Sequence, residues 1–237
     1  MTGRTILAAF FLCLAISAQA RAEDPAKIIA GMSAAYAKVD DYTAIFYKQE
    51  RVNGSVLPRE KILLKFKKPF KIYMKWLPSS PHAGREALYV GGANGGKVIG
   101  HEGGLIGFIT LHMKPTGAIA MRGNRHPITD VGIGRLIDIV EYNFKRAGEK
   151  GVLRLESLGE AEVYGRKTRH IAMEMPESGY YAPKMEIWVD EGLRLPIKIE
   201  VFGPKGRFLE GYGYSGLKIN PGLKDTEFTE GYKGYHF

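Results

Sequence analysis

The stretch Lys61–Trp76, KILLKFKKPFKIYMKW, constrains the fold more than any other part of the chain. One parity carries Ile62, Leu64, Phe66, Phe70, Ile72, Met74 and Trp76; the other carries Lys61, Lys65, Lys67, Lys71 and Lys75. Side chains alternate across a strand, so the pattern predicts extended chain with one apolar and one cationic face. In a hairpin, Phe66 and Phe70 share a face only across an odd-length loop. Lys67-Lys68-Pro69 fits, placing Leu64 opposite Ile72, Ile62 opposite Met74, Lys65 opposite Lys71 and Lys61 opposite Lys75. Like charges so placed disfavour pairing by up to about 1 kcal/mol each, which an adjacent acidic side chain or a bound anion would relieve.

The same reading extends along the chain. Asp24-Pro25 is an N-cap with a first-turn proline, and Ile28, Met32, Ala35, Tyr36 and Val39 recur at helical spacing, predicting an opening helix of roughly four turns. Tyr42 to Val52, Glu60 to Phe66, Phe70 to Trp76, Arg85 to Val90 and Lys97 to His101 read as strands, with turns at Asn53-Gly54 and GGANGG. Gly103 to Met121 is apolar but broken by glycines and Pro115, compatible with a strand, a short helix or a lid. A second helix, capped by Thr129 or Asp130 and ended by Gly148, carries the stripe Ile133, Leu136, Ile137, Val140 and Phe144. Gly151 to Leu158, Arg166 to Met173, Lys184 to Val189, Pro196 to Phe202 and Phe208 to Tyr214 complete the strands. The expected fold class is α+β: one long antiparallel sheet with a few helices on one side, one face buried and the other wet.

The first residues read as an export signal. Arg4 precedes an apolar run from Ile6 to Ile16, and Ala18, Ala20 and Ala22 offer cleavage sites, so residues 1–22 are expected to be a signal peptide and 23–237 a single periplasmic domain. The run is shorter than the about 20 residues a bilayer needs. The only cysteine, Cys13, lies within it, and Phe10-Phe11-Leu12 stand where a lipoprotein signal wants small residues. The mature chain then has no disulfide, no thiolate metal site and no cysteine nucleophile. The net charge of +9 is read as attraction to an anionic membrane surface or envelope protein, or as a solvated lysine-rich surface. Nucleic acid is not expected, because export argues against it and no recognition helix or zinc finger appears.

FKKPFKIYMKWLP followed by GREALYVGGANGGKVIGH resembles the early strands of LolA-type periplasmic carriers. WVDEGLRLPIKIEVFGPKGRFLEGYGYSGLKINPGLKDTEF is similar to their C-terminal hairpins, and with NRHPITDVGIGRLI the whole mature chain resembles a secreted bacterial family of unknown function. The resemblance implies an incomplete antiparallel barrel with helices plugging its concave side, and a space between that carries acyl chains.

The candidate lipid-binding residues are Phe46, Ile62, Leu64, Phe66, Ile72, Met74 and Trp76, with Ile187, Ile197 and Ile199 from later strands. The alternative is that helices cover them permanently as core. Each buried methylene is worth about 0.8 kcal/mol, so a long acyl chain offers on the order of 10 kcal/mol gross. An exposed ion pair offers roughly 0–1 kcal/mol, so the apolar face would hold and the lysines would steer. The expected function is carriage of a lipid or acylated protein with no covalent chemistry and no cofactor. An envelope binding module or stress sensor is the second reading. A hydrolase centred on His126, with Arg125 and Asp130 near it in sequence, is the third. The six histidines form no metal-ligand spacing, GGANGGK lacks the ending of a phosphate loop, and GxSxG is absent.

Overall fold

The computed structural model describes residues 23–104 and 109–237. The expected signal peptide and Cys13 lie outside them, as do residues 105–108. Helix α1 (Pro25–Ala37) is followed by β1 (Asp41–Val52), β2 (Ser55–Val56), β3 (Glu60–Lys67), β4 (Lys71–Trp76), β5 (Glu86–Val90), β6 (Val98–His101) and β7 (Leu111–Met113). Helix α2 (Ile133–Glu149) leads into β8 (Arg154–Val163), β9 (Arg166–Glu174), β10 (Lys184–Asp190), β11 (Pro196–Phe202) and β12 (Phe208–Ile219). The strands form one curved, open, 12-stranded sheet in the order β7-β6-β5-β4-β3-β1-β12-β11-β10-β9-β8, with β2 paired to β1. The α+β class expected from the alternation is what the chain adopts.

Both helices lie on the concave face. Asp24 Oδ1 accepts from the Ala26 amide at 2.9 Å and Pro25 opens α1, as the sequence predicts. Ile28, Ile29 and Met32 of α1 and Ile133, Leu136, Ile137 and Val140 of α2 share one core with the even-numbered apolar residues of β3 and β4. That core runs on into β9 to β12, with α2 lying over β11 and α1 against α2 and β8.

The start of α2 departs from expectation. Thr129 and Asp130 sit in a short 3-10 turn (Ile128–Asp130), and the N-cap is Gly132, with no capping side chain of its own. The sheet supplies the cap instead: the Ile133 amide donates to the Tyr42 hydroxyl at 3.0 Å. Gly132 takes φ 132°, and a Cβ there would stand 3.1 Å from that hydroxyl and 3.5 Å from the Phe66 ring. Only glycine lets the helix begin so close to β1. At the other end α2 runs to Glu149, and Gly151 rather than Gly148 takes the left-handed conformation that follows.

The hairpin of β3 and β4 keeps its expected faces but slips by two residues. Phe66 pairs with Ile72, Leu64 with Met74 and Ile62 with Trp76, leaving Lys68, Pro69 and Phe70 as the loop. Parity fixes which face is buried, not a slip of two. The like-charged pair is therefore Lys67 opposite Lys71, and Asp225 bridges both, at 2.9 and 2.8 Å. Lys65 meets Glu227 at 2.7 Å and Lys75 meets Glu86 at 2.9 Å. The cationic face is thus neutralised largely by the chain's own C-terminal segment, whose Tyr235 stacks on Tyr73 at 3.7 Å in a small second core with Leu88, Ile99, Leu223 and Phe228.

Loops at one end of β4, β5 and β6 touch at Gly103. A Cβ there would lie 1.9 Å from the Ala83 carbonyl oxygen, a backbone atom that cannot swing aside. Gly103→Ala is expected to force the two loops apart and cost about 1–3 kcal/mol, read as a lower thermal midpoint by circular dichroism.

Candidate functional site

Where the helices stop covering the sheet, the concave face of β1 and β4 to β7 remains hollow. The cavity holds about 1310 Å³ of space between atoms, its open mouth included. Phe46, Met74, Trp76, Ala87, Val98, Leu111 and Met113 form its sheet side, and Leu136 and Ile139 come from α2. The segment between β7 and α2 closes the far side with Ile119, Ala120, Ile128 and Val131. Its hydrogen bonds over 114–124 are largely to itself: Gly117 to Lys114, Met121 to Gly117 and Asn124 to Met121. Leu111 and Ile119 are exposed.

One end of the cavity is ionic and deeply buried. Lys48, Glu50, Glu60 and Glu210 are 5%, 3%, 5% and 1% exposed. All four project to the same side as the apolar residues of their strands. The Lys48 ammonium lies 3.4 Å from Glu50, 3.3 Å from Glu60 and 2.5 Å from Asn124 Oδ1. Trp76 Nε1 donates to Glu60 at 2.5 Å, and the Tyr212 hydroxyl donates to Glu50 Oε1 at 2.6 Å. Glu210 accepts from Arg125 Nε at 2.8 Å and from the Tyr181 hydroxyl, and it faces His126 Nε2 at 2.9 Å. Groups so buried persist only when paired, and here every carboxylate is. The cluster also pins the covering segment, since Asn124, Arg125 and His126 are consecutive and all reach into it.

Burial alone would lower the His126 pKa; the hydrogen bond and charge of Glu210 outweigh it and raise the value. Burial would raise Glu210, but His126, Tyr181 and Arg125 together hold its carboxyl below the usual range. Burial, then the nearby carboxylate charge, pushes the Tyr181 and Tyr212 phenols up, so both stay protonated. The His126 constellation does not have the form of a proton relay. A relay places a carboxylate on one ring nitrogen and the nucleophile on the other. Here Glu210 and the Tyr181 hydroxyl, at 2.9 and 3.0 Å, both address Nε2. Arg125 joins through Glu210, whereas Asp130 lies 3.7 Å from Arg135 instead. Among the described residues no group of three or more His, Cys, Asp or Glu side chains is arranged to hold a metal.

A family model described as a protein of unknown function (DUF1571) matches residues 39–237. The chain belongs to that family. No curated protein matches this DUF1571 chain. Among solved structures, the MucA/MucB complex of Pseudomonas aeruginosa is similar at 15% identity and a TM-score of 0.50, covering 88% of this chain and 62% of that one. The lipoprotein LppX of Mycobacterium tuberculosis matches at 14% identity and 0.49, covering 85% and 99%. The LolA superfamily protein NE2245 of Nitrosomonas europaea matches at 11% and 0.36, covering 88% and 99%. At these identities the likeness is one of fold. The resemblance to a family of unknown function, read from the sequence, is met by the family match over residues 39–237.

The structure places the ten apolar candidates of the DUF1571 chain in two groups. Phe46, Met74 and Trp76 belong to the shared core and also line the cavity. Ile62, Leu64, Phe66, Ile72, Ile187, Ile197 and Ile199 pack into the shared core with α1 and α2. Sequence reasoning missed Lys48, Glu50, Glu60, Glu210, Tyr181 and Tyr212. A signal for most of them was present: Lys48 and Glu50 continue the parity of Phe46, Glu60 that of Ile62, and Glu210 that of Tyr214. Charges on an apolar parity mark a buried polar site.

Proposed function

We propose that this protein is a periplasmic carrier that shields the acyl chains of a lipid or lipidated protein in the cavity beneath the 114–131 segment, without covalent chemistry. The observation that supports the reading is the cavity itself: an open hollow with a mainly apolar wall, next to a core that is otherwise filled. Phe46, Met74 and Trp76 contact cargo, and the remaining seven apolar candidates form the packed layer behind them. Residues 1–22 direct export. Among the described residues no helix is long and apolar enough to cross a membrane. Contact with an anionic membrane would use basic residues other than Lys65, Lys67, Lys71 and Lys75, which are engaged within the chain.

The test is mass spectrometry of organic extracts from protein purified out of the periplasm. A lipid at near-equal molar ratio is expected. Ala87→Trp, which fills the wall opposite Met74, is expected to lower that ratio several-fold with an unchanged circular dichroism spectrum. Protein that emerges lipid-free under native isolation would remove the carrier reading. A second reading, an envelope module regulating a protein partner, draws on the fold shared with MucB, solved in complex with MucA. Acceptor vesicles separate the two: a carrier surrenders its lipid to them, a regulator retains it.

A further inference from the structure

Resting on the carrier reading of this cavity, we propose that its ionic end selects cargo whose buried polar group is an uncharged hydrogen-bond donor, a lipid hydroxyl, received by the Tyr212 oxygen. The argument is an inventory of donors and acceptors. Lys48 donates to Glu50 and Asn124 and faces Glu60 at 3.3 Å. Trp76 Nε1 is committed to Glu60, and Arg125 to Glu210, to the Arg51 carbonyl and, through its backbone amide, to Glu50. His126 Nε2 is committed to Glu210 and Tyr181. Each phenol has one proton, and Tyr212 gives its own to Glu50 Oε1 at 2.6 Å while Tyr181 gives its own to Glu210. What the two phenols have left over is lone pairs. Tyr181 shares its oxygen with His126, so of the two phenols Tyr212 is the open acceptor.

Charge narrows the class further. Three carboxylates, Glu50, Glu60 and Glu210, stand within the cluster against Lys48, Arg125 and His126. A carboxylate or phosphate brought to the Tyr212 oxygen meets a lone pair and the like charge of Glu50, to which that hydroxyl donates. An ammonium would be stripped of water with no uncommitted carboxylate to receive it. A hydroxyl gives up little hydration and completes the Tyr212 valence.

The experiment is displacement of a polarity-sensitive fluorescent dye from delipidated wild-type protein by ligands of one chain length: dodecanol, dodecyl methyl ether, dodecanoic acid, dodecyl phosphate and dodecylamine. Dodecanol is expected to bind about 3- to 10-fold tighter than the ether, which keeps the oxygen but lacks the proton. The acid and the phosphate are expected to be weaker than dodecanol. In Tyr212→Phe the preference for alcohol over ether is expected to vanish while ether affinity is unchanged, which also reports that the cavity survives the substitution. Equal affinity for alcohol and ether overturns the proposal and leaves the carrier reading standing. Tighter binding of the acid, the phosphate or the amine overturns it in favour of a charged headgroup. Displacement by none of the five removes the carrier reading and this proposal with it.

Discussion

Ile72→Asp is expected to unfold the protein, not to empty its cavity. Ile72 has no exposed surface, pairs with Phe66 and Tyr89 across β4, and sits in the core shared with both helices. Deleting its apolar bulk costs about 2–5 kcal/mol, as for other large buried aliphatics. Desolvating a carboxylate with no cation in that core costs several kcal/mol more. Together these rival the about 5–15 kcal/mol that holds a domain folded. Loss of soluble yield, or of a cooperative melt, is the measurement. The contrast is Ile119→Asp at the cavity wall, where the side chain is 56% exposed. That change is expected to alter stability by less than about 0.5 kcal/mol, as surface changes do, while lowering bound lipid. An Ile72→Asp protein that melts normally yet loses lipid would place the cargo deep in the sheet and redraw the site.

The different fates of these two residues follow from what alternation encodes. Period-two patterning fixes which side chains face inward, so β1, β3, β4 and the C-terminal strands, together with the apolar stripes of α1 and α2, were legible residue by residue. It does not say which stretch of an inward face a helix will cover. Ile72 and Met74 are indistinguishable in sequence and both belong to the core, and only the placement of α2, capped by Tyr42 on β1, leaves Met74 lining the cavity as well. The two-residue slip of the β3–β4 hairpin has the same origin, since its arbiter, Asp225, is remote in sequence. The ionic end was half legible. Lys48, Glu50, Glu60 and Glu210 break the apolar parity at strand ends, where a charge is usually solvated. What buries them is the 114–131 segment, whose glycines and Pro115 carry no periodic signal. Their partners are 84 residues apart in the His126–Glu210 contact and 162 in the Tyr212–Glu50 contact, beyond any local pattern.

Glu210→Gln is expected to be the most damaging conservative change at the site. The amide keeps an oxygen for Tyr181 but removes the negative charge that His126 and Arg125 share, leaving two cations beside one another. Breaking a buried ion pair from one side costs about 3–5 kcal/mol. For a chain of this size that is a fall of about 10 °C in the thermal midpoint. Because Arg125 and His126 tether the covering segment, trypsin cleavage at Arg122 is expected to accelerate in the variant. Adding His126→Gln is expected to recover part of the loss, since the unpaired imidazolium is then gone; failure to recover any would mean Arg125 alone carries the coupling. The pH dependence has a definite sign. His126 is raised from 6.5, so its contribution is complete below that value and disappears as pH climbs through the higher folded value. Glu210 is lowered from 4.5, so its contribution is complete above that value and disappears as pH falls through the lower folded one. Both are present together between the two ordinary values. Glu50, Glu210, Arg125 and Tyr181 are the groups that face His126. Other histidines titrate in the same range, so the informative quantity is the midpoint difference between wild type and His126→Gln. It is expected to be largest near pH 5.5 and to shrink in alkali; a difference that grows with pH would show that the imidazole is held neutral and that the tether does not depend on its charge.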